Sequence, residues 1–333
     1  MVNNILIFRT DKIGDLLITC PVVLTIKKHL TNSKITLITS KNNHNYAKSF
    51  EFIDDIVMFP QGNLLEKFKF IISLSKKKYN YILILDGKDR SIISSIFISS
   101  QKKVAIMSKK RINFFWKLFN IKFIEDDEST NLIKIYQNSL KCCNINTNIS
   151  NFDYLKHKID NNFSGDFNIK KYIQIHLDEK WIKDLYIEKY KNINPSYQNF
   201  TEFLISLSKQ NNILITTGMI NFELINSLKS NFFKKKTDKI YYTKVYKNEI
   251  YLVYKPSLID LESLVRQAQV LITCHGAISH IANSFNVKIF DIIDESKKDW
   301  YSRFSSYINN YNLIYRDRFN LIHKKIINDV LTL

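Results

Sequence analysis

Glycine, proline, cysteine and arginine are all scarce in this chain, and several absences close off whole classes of protein. There are six glycines in 333 residues, and neither G-x-G-x-x-G nor G-x-x-x-x-G-K-[ST] occurs, so the dinucleotide fingerprint and the P-loop are missing. Four cysteines, two of them adjacent at Cys142 and Cys143, do not make a disulfide framework, and free, reduced thiols are expected. The absence of paired C-x-x-C, of H-E-x-x-H and of G-x-S-x-G argues against zinc chemistry and against a serine hydrolase. No Asp-x-Asp occurs either, so no obligatory metal is expected. The longest apolar runs, such as Tyr81 to Leu85, fall far short of the roughly 20 residues that span a bilayer. The chain opens on a strand where a signal peptide would need a basic region and a longer apolar stretch, which predicts an unprocessed, cytoplasmic protein.

What the chain has in excess is lysine. Basic residues number 49 against 31 acidic ones, a net charge of +18, and only seven of the 49 are arginine. Part of this is solvated surface, but an excess of this size favours an anionic partner: nucleic acid, phosphorylated glycan or acidic lipid headgroups. RNP-type aromatic signatures and zinc-finger spacings are absent, so no specific nucleic-acid partner is expected. A 45% apolar and 24% charged composition is that of a soluble globular protein. The length suggests two domains.

Apolar strands alternate with helical patterns from the first residues, which predicts an α/β fold with parallel sheets. In the first half, strands are expected at 5–8, 35–38, 56–59, 81–85 and 104–107. Ile13, Leu16, Leu17, Cys20, Val23 and Leu24 form one helical stripe, and Pro21 inside it should kink the helix or open a second segment. Between Asn144 and Lys170 the chain turns rich in Asn, Asp and Lys, the signature of a linker. In the second half, strands are expected at 172–176, 213–217, 250–254, 270–274 and 287–292. Helices are expected at 200–207, 221–228, 258–267, 277–285 and 319–331.

Four of the six glycines, Gly14, Gly87, Gly218 and Gly276, stand just beyond an expected strand. There a backbone either simply turns or must approach a ligand closely. Asp15, after the first strand and Gly14, is either a first-turn helix acid or a catalytic base at the strand ends where α/β folds gather ligands. Gly276 and Ala277 open a helix whose first amides point free N–H groups at an anion. His275 and His280 beside them either donate to that anion or pack beneath the sheet edge. Glu262 is either a solvated helical acid or an acceptor for ribose hydroxyls.

Together these segments resemble glycosyltransferase family 9, the ADP-heptose:lipopolysaccharide heptosyltransferases and their relatives. The first matches in its hydrophobic strand, basic loop, Gly14-Asp15 and apolar stretch ending in Pro21. The donor motif matches in Gly276, His280 and Ala282, although Cys274 and His275 stand where the family has Asp then Ser or Thr. Tyr81 to Asp86 and Gly87 with Arg90, and Ile213 to Gly218 with Glu223, match two further segments.

The resemblance implies a GT-B fold, two Rossmann-like domains facing a central cleft. It assigns 1–155 to an acceptor domain, 156–170 to a linker, 171–318 to a nucleotide-sugar domain and 319–333 to a helix packing back on the first domain. The activity it implies is inverting transfer of a sugar, possibly a heptose in an ADP-linked donor, to a lipid-linked surface glycan such as a lipopolysaccharide core. Asp15 would be the base. His176, Lys180, Lys183, Thr217, Gly218, Glu262, His275, Gly276, Ala277 and His280 would serve the donor, and Arg9, Lys12, Gly14, Lys88 and Arg90 the acceptor. The enzyme would work in the cytoplasm, at the inner face of an anionic membrane.

Overall fold

A computed structural model describes residues 2–112, 116, 118–156, 163, 169, 171–182 and 193–332. The linker expected at 156–170 lies almost wholly outside these residues, and Lys183 lies outside them as well. The chain divides into two compact units, 1–158 with 302–307, and 159–301 with 308–333.

In the first unit the strands are β1 (Asn3–Arg9), β2 (Ser33–Thr39), β3 (Asp55–Met58), β4 (Tyr79–Ile84), β5 (Ser100–Met107) and β6 (Ile121–Glu125). The helices are α1 (Ile13–His29), α2 (Lys41–Ala47), α3 (Leu64–Ser75), α4 (Asp89–Ile96) and α5 (Leu132–Cys142). The strands pair in parallel in the order β3-β2-β1-β4-β5-β6. Ile5, Leu6, Ile7 and Phe8 are all fully buried, as a central strand covered on both faces requires. One face packs Leu6, Phe8, Ile82 and Ile84 against Phe70 and Leu74 of α3 and Ile92 of α4. Helix α1 runs from 13 to 29 as a single element with Pro21 inside it, so no second segment opens there.

The second unit carries β7 (Tyr172–Leu177), β8 (Asn212–Thr217), β9 (Lys234–Lys235), β10 (Ile240–Val245), β11 (Asn248–Val253), β12 (Ala268–Cys274), β13 (Lys288–Ile293) and β14 (Tyr311–Tyr315). Its helices are α6 (Tyr197–Ser208), α7 (Glu223–Asn231), α8 (Leu258–Gln267), α9 (Ala277–Ser284) and α11 (Phe319–Leu331), and α10 (Lys298–Ser305) begins in it. The sheet order is β14-β13-β12-β7-β8-β11-β10-β9. All pairs are parallel except the β9-β10-β11 extension at one edge. Without β9 and β10 the order repeats the first unit's, with β7 in the place of β1 and β12 in the place of β4.

The last helix corrects one expectation. Phe319, Ile322, Ile326 and Val330 of α11 belong to the second unit's own core, where Phe319 meets the rings of Phe203 at 5.4 Å and Phe200 at 5.7 Å. A stripe at this spacing buries one face of a helix, and here that face is taken by α6. The segment belonging to the first unit is 302–307. There Arg303 pairs with Asp126 and donates to the Asp127 carbonyl at 2.5 Å, and Tyr307 stacks on Phe152 at 4.7 Å.

All four cysteines are free, with Cys20, Cys143 and Cys274 buried and Cys142 partly exposed. Among the described residues no helix is long and apolar enough to cross a membrane.

Candidate functional site

In a parallel sheet of this order, the connections after the two central strands leave on opposite sides and open a crevice at their C-terminal ends, where ligands bind. In the first unit these strands are β1 and β4, and the loops 10–12 and 85–88 that follow them are fastened to each other. Thr10 donates from its hydroxyl to Asp86 Oδ2 at 2.6 Å, and Ser91 does so at 2.7 Å. Lys88 donates to the Thr10 carbonyl at 2.7 Å and pairs with Asp11 at 2.5 Å. Arg90 donates to Thr10 Oγ1 at 2.9 Å and lies over the Phe59 ring. Gly87 is needed here: its φ is +58°, and a Cβ would lie 2.8 Å from the Ile106 carbonyl oxygen.

Arg9, expected at the acceptor, turns inward. It is 3% exposed, donates to Thr19 Oγ1, the Leu85 carbonyl, Asp11 and Tyr136, and reaches the Asp15 carbonyl at 3.1 Å. A guanidinium presents its donors in a fixed fork. This one ties β1, β4 and the first turn of α1 together and so positions Asp15. Lys88 likewise braces the loop, whereas Lys12 is exposed and Gly14 sits in the first turn of α1.

Asp15 is the third residue of α1, and its Oδ2 accepts the Lys12 backbone N–H at 3.3 Å. The helix-acid role is therefore real. The carboxylate is only partly buried, and Oδ1 accepts no hydrogen bond from the described residues. Capping thus occupies one oxygen of the side chain and leaves the other open.

The corresponding place in the second unit lies after β7 and β12. Lys180 pairs with Asp178 at 2.8 Å, and its ammonium also donates to the carbonyls of His275 at 2.8 Å and Cys274 at 3.3 Å. Arg316 donates to the Lys180 carbonyl at 2.5 Å. Lys180 is thus a peg beneath the 274–276 loop rather than a free cation. A Cβ on Gly276 would stand 2.5 Å from its ammonium nitrogen, so the glycine lets the loop settle on the peg. Gly276 caps α9 and Ala277 begins it, leaving first-turn amides with no partner inside the helix.

His275 is held by a group that the sequence reading passed over. Its Nδ1 lies 2.6 Å from Oδ2 of Asp291, a fully buried carboxylate on β13 that also accepts from Tyr311 at 2.7 Å and Ser279 at 3.3 Å. Asp291 Oδ1 has no hydrogen-bond partner among the described residues. Nε2 of His275 has no hydrogen-bond partner among the described residues, so a carboxylate orients the ring while its other nitrogen keeps its bonding capacity. A lone acid inside the apolar run Ile289 to Ile293 is a signal that a partner must exist.

Other expected donor residues turn inward. His176 is buried against Thr216 Oγ1 at 3.0 Å, and burial pushes its pKa down to about 4. Burial, then the neighbouring His275 and Lys180, holds His280 well below the usual histidine range. Thr217 accepts the Lys255 backbone N–H at 2.8 Å. A Cβ on Gly218 would come within 2.9 Å of Asp178 Cβ, so this glycine serves close packing between loops. Glu262 is buried on α8 rather than solvated.

Two Rossmann-like units, each with its loops fastened at the switch point, define an α/β protein of the GT-B class. Solved structures of the same fold cover nearly the whole chain. The glycosyl transferase family 9 protein of Veillonella parvula DSM 2008 is 13% identical, with a TM-score of 0.66 over 99% of this chain and 89% of that one. The E. coli heptosyltransferase WaaC with ADP-2-deoxy-2-fluoro heptose is 12% identical, with a TM-score of 0.67 over 98% of this chain and 99% of that one. The UDP-GlcNAc 2-epimerase of Methanocaldococcus jannaschii is also 12% identical, with a TM-score of 0.54 over 100% of this chain and 92% of that one. No protein-family model and no curated protein matches the sequence. At these identities the likeness carries the fold, and it is the site that must carry the function.

Proposed function

We propose that this chain is a glycosyltransferase related to family 9 that moves a sugar from a nucleotide donor, ADP-linked by preference, to a lipid-linked surface glycan such as a lipopolysaccharide core. The first unit takes the acceptor and the second the donor. The observation that carries the reading is the pair of switch-point sites. One offers a carboxylate oxygen with no hydrogen-bond partner among the described residues, Asp15 Oδ1; the other offers the His275 edge and the α9 amides.

The reaction inverts the anomeric carbon. The acceptor hydroxyl oxygen forms a bond to that carbon, its proton passes to Asp15, and the bond from the carbon to the diphosphate oxygen breaks. The charge that develops on the diphosphate is met by the α9 amides and His275. No step calls for a metal, so transfer should persist in EDTA. A lipid-linked acceptor and the +18 charge suit work in the cytoplasm against an anionic membrane face.

A second reading keeps the reaction and changes the donor. It is favoured by Cys274-His275 and the His275–Asp291 couple, which stand where the family motif carries an acid facing the sugar. A thermal-shift panel of ADP-, UDP-, GDP- and CMP-linked sugars separates the two, and stabilisation by none of them would overturn both. That last outcome would favour a non-catalytic basic binding protein that keeps the fold.

A further inference from the structure

Helix α3 has two apolar faces, and only one is used. Phe70 and Leu74 enter the first unit's core, with Phe70 against Phe59 at 5.2 Å. Leu64, Phe68 and Ile72, at i, i+4 and i+8, form a second stripe on the solvent side, widened by Leu65. Leu64 is 83% exposed and Phe68 61%. Four large apolar side chains left in water within three turns are not the scattered exposure of an ordinary surface. Helix α4 shares the α3 layer of the core through Ile92, and it exposes Ile93, as does its C-cap Phe97.

The charge around this stripe is predominantly basic. Lys67, Lys69, Lys76, Lys77 and Lys78 fall in or just after α3, against the single acid Glu66. Lys69, Lys76 and Lys78 are exposed, and none makes an ion pair among the described residues. Lysines flanking an apolar stripe bury their stems while keeping the ammonium at the level of lipid phosphates. A protein partner would be expected to leave the rim mixed in sign.

We infer that the exposed face of α3 is a membrane-docking surface that inserts Leu64, Leu65, Phe68 and Ile72 into the interface of an anionic bilayer while the flanking lysines hold its headgroups. Its position suits the first unit's site. The N-terminal end of α3 follows β3 at the C-terminal edge of the sheet, the edge that carries loops 10–12 and 85–88, and Phe59 between them lies under Arg90. The inference deepens the membrane contact proposed above, and its test is separable from that of sugar transfer because vesicle binding needs neither donor nor acceptor.

Flotation of the full-length chain with vesicles of phosphatidylcholine containing 30% phosphatidylglycerol (on the order of a cytoplasmic leaflet's anionic charge) reads the docking directly. The wild type should float with these vesicles and not with pure phosphatidylcholine. The pair Leu65→Ser with Phe68→Ser should lower partitioning at least about tenfold at an unchanged melting temperature, because both side chains are already in water. Lys69→Gln with Lys76→Gln should weaken binding and flatten its salt dependence. Failure to float on anionic vesicles, or flotation unchanged in the apolar pair, overturns the inference. So does a concentration-dependent dimer of the wild type that the apolar pair abolishes, since the stripe would then belong to a second copy.

Discussion

The sequence predicts that Asp15 and His176 both meet substrate, and the structure sets them in different surroundings, Asp15 partly exposed and His176 buried. Asp15→Asn keeps an oxygen to accept the Lys12 N–H but cannot take a proton. Transfer should therefore fall by about 10²–10⁴ with little change in melting temperature, and full activity with a verified donor would remove it as the base. His176 contributes through burial. Its pKa is about 4 in the folded chain against 6.5 ordinarily, so between those values the unfolded chain binds the extra proton. The stability that depends on a neutral His176 is therefore intact above about pH 6.5. It declines by about 3 kcal/mol as pH falls to 4, and His280 acts in the same direction. Urea unfolding across this range should show the loss, and His176→Gln should flatten it.

Most strands of the parallel sheets were legible because they are largely apolar runs bounded by polar turns, as Ile5 to Phe8 and Val270 to Ile272 illustrate. Strands β6, β10 and β14, toward the sheet margins, were not. Ile240 to Val245 carries two tyrosines, a threonine and a lysine, and β14 is similarly half-exposed, so neither stands out from a loop. The partners of the site were hidden for another reason. Nothing local tells Asp291 that it will face His275, or Arg9 that it will turn inward, because both depend on strand order. Helix α11 had a readable stripe and an unreadable destination. Since Phe319 lies among Trp181, Phe200 and Phe203, Phe319→Ala should cost about 3–5 kcal/mol in the second unit, measured by denaturant titration. A cost below 1 kcal/mol would place the helix elsewhere.

Taken whole, the chain repeats one strand order twice and puts different chemistry at the two switch points. That division is testable by hydrogen exchange, region by region. A stabilising nucleotide sugar alone should slow exchange in 178–182 and 275–280, and leave 10–16 and 85–90 unchanged; protection in the reverse pattern would exchange the roles given to the two units. The thiols offer a way to follow such experiments. Cys143 is pushed up to about 12 and Cys274 higher still by burial, and Cys20 is buried as well. A maleimide dye added to the native chain should therefore find Cys142, at the end of α5, and little else. The natural sequence thus carries its own single-site label, and the rise from one reactive thiol to four reports global unfolding without any substitution.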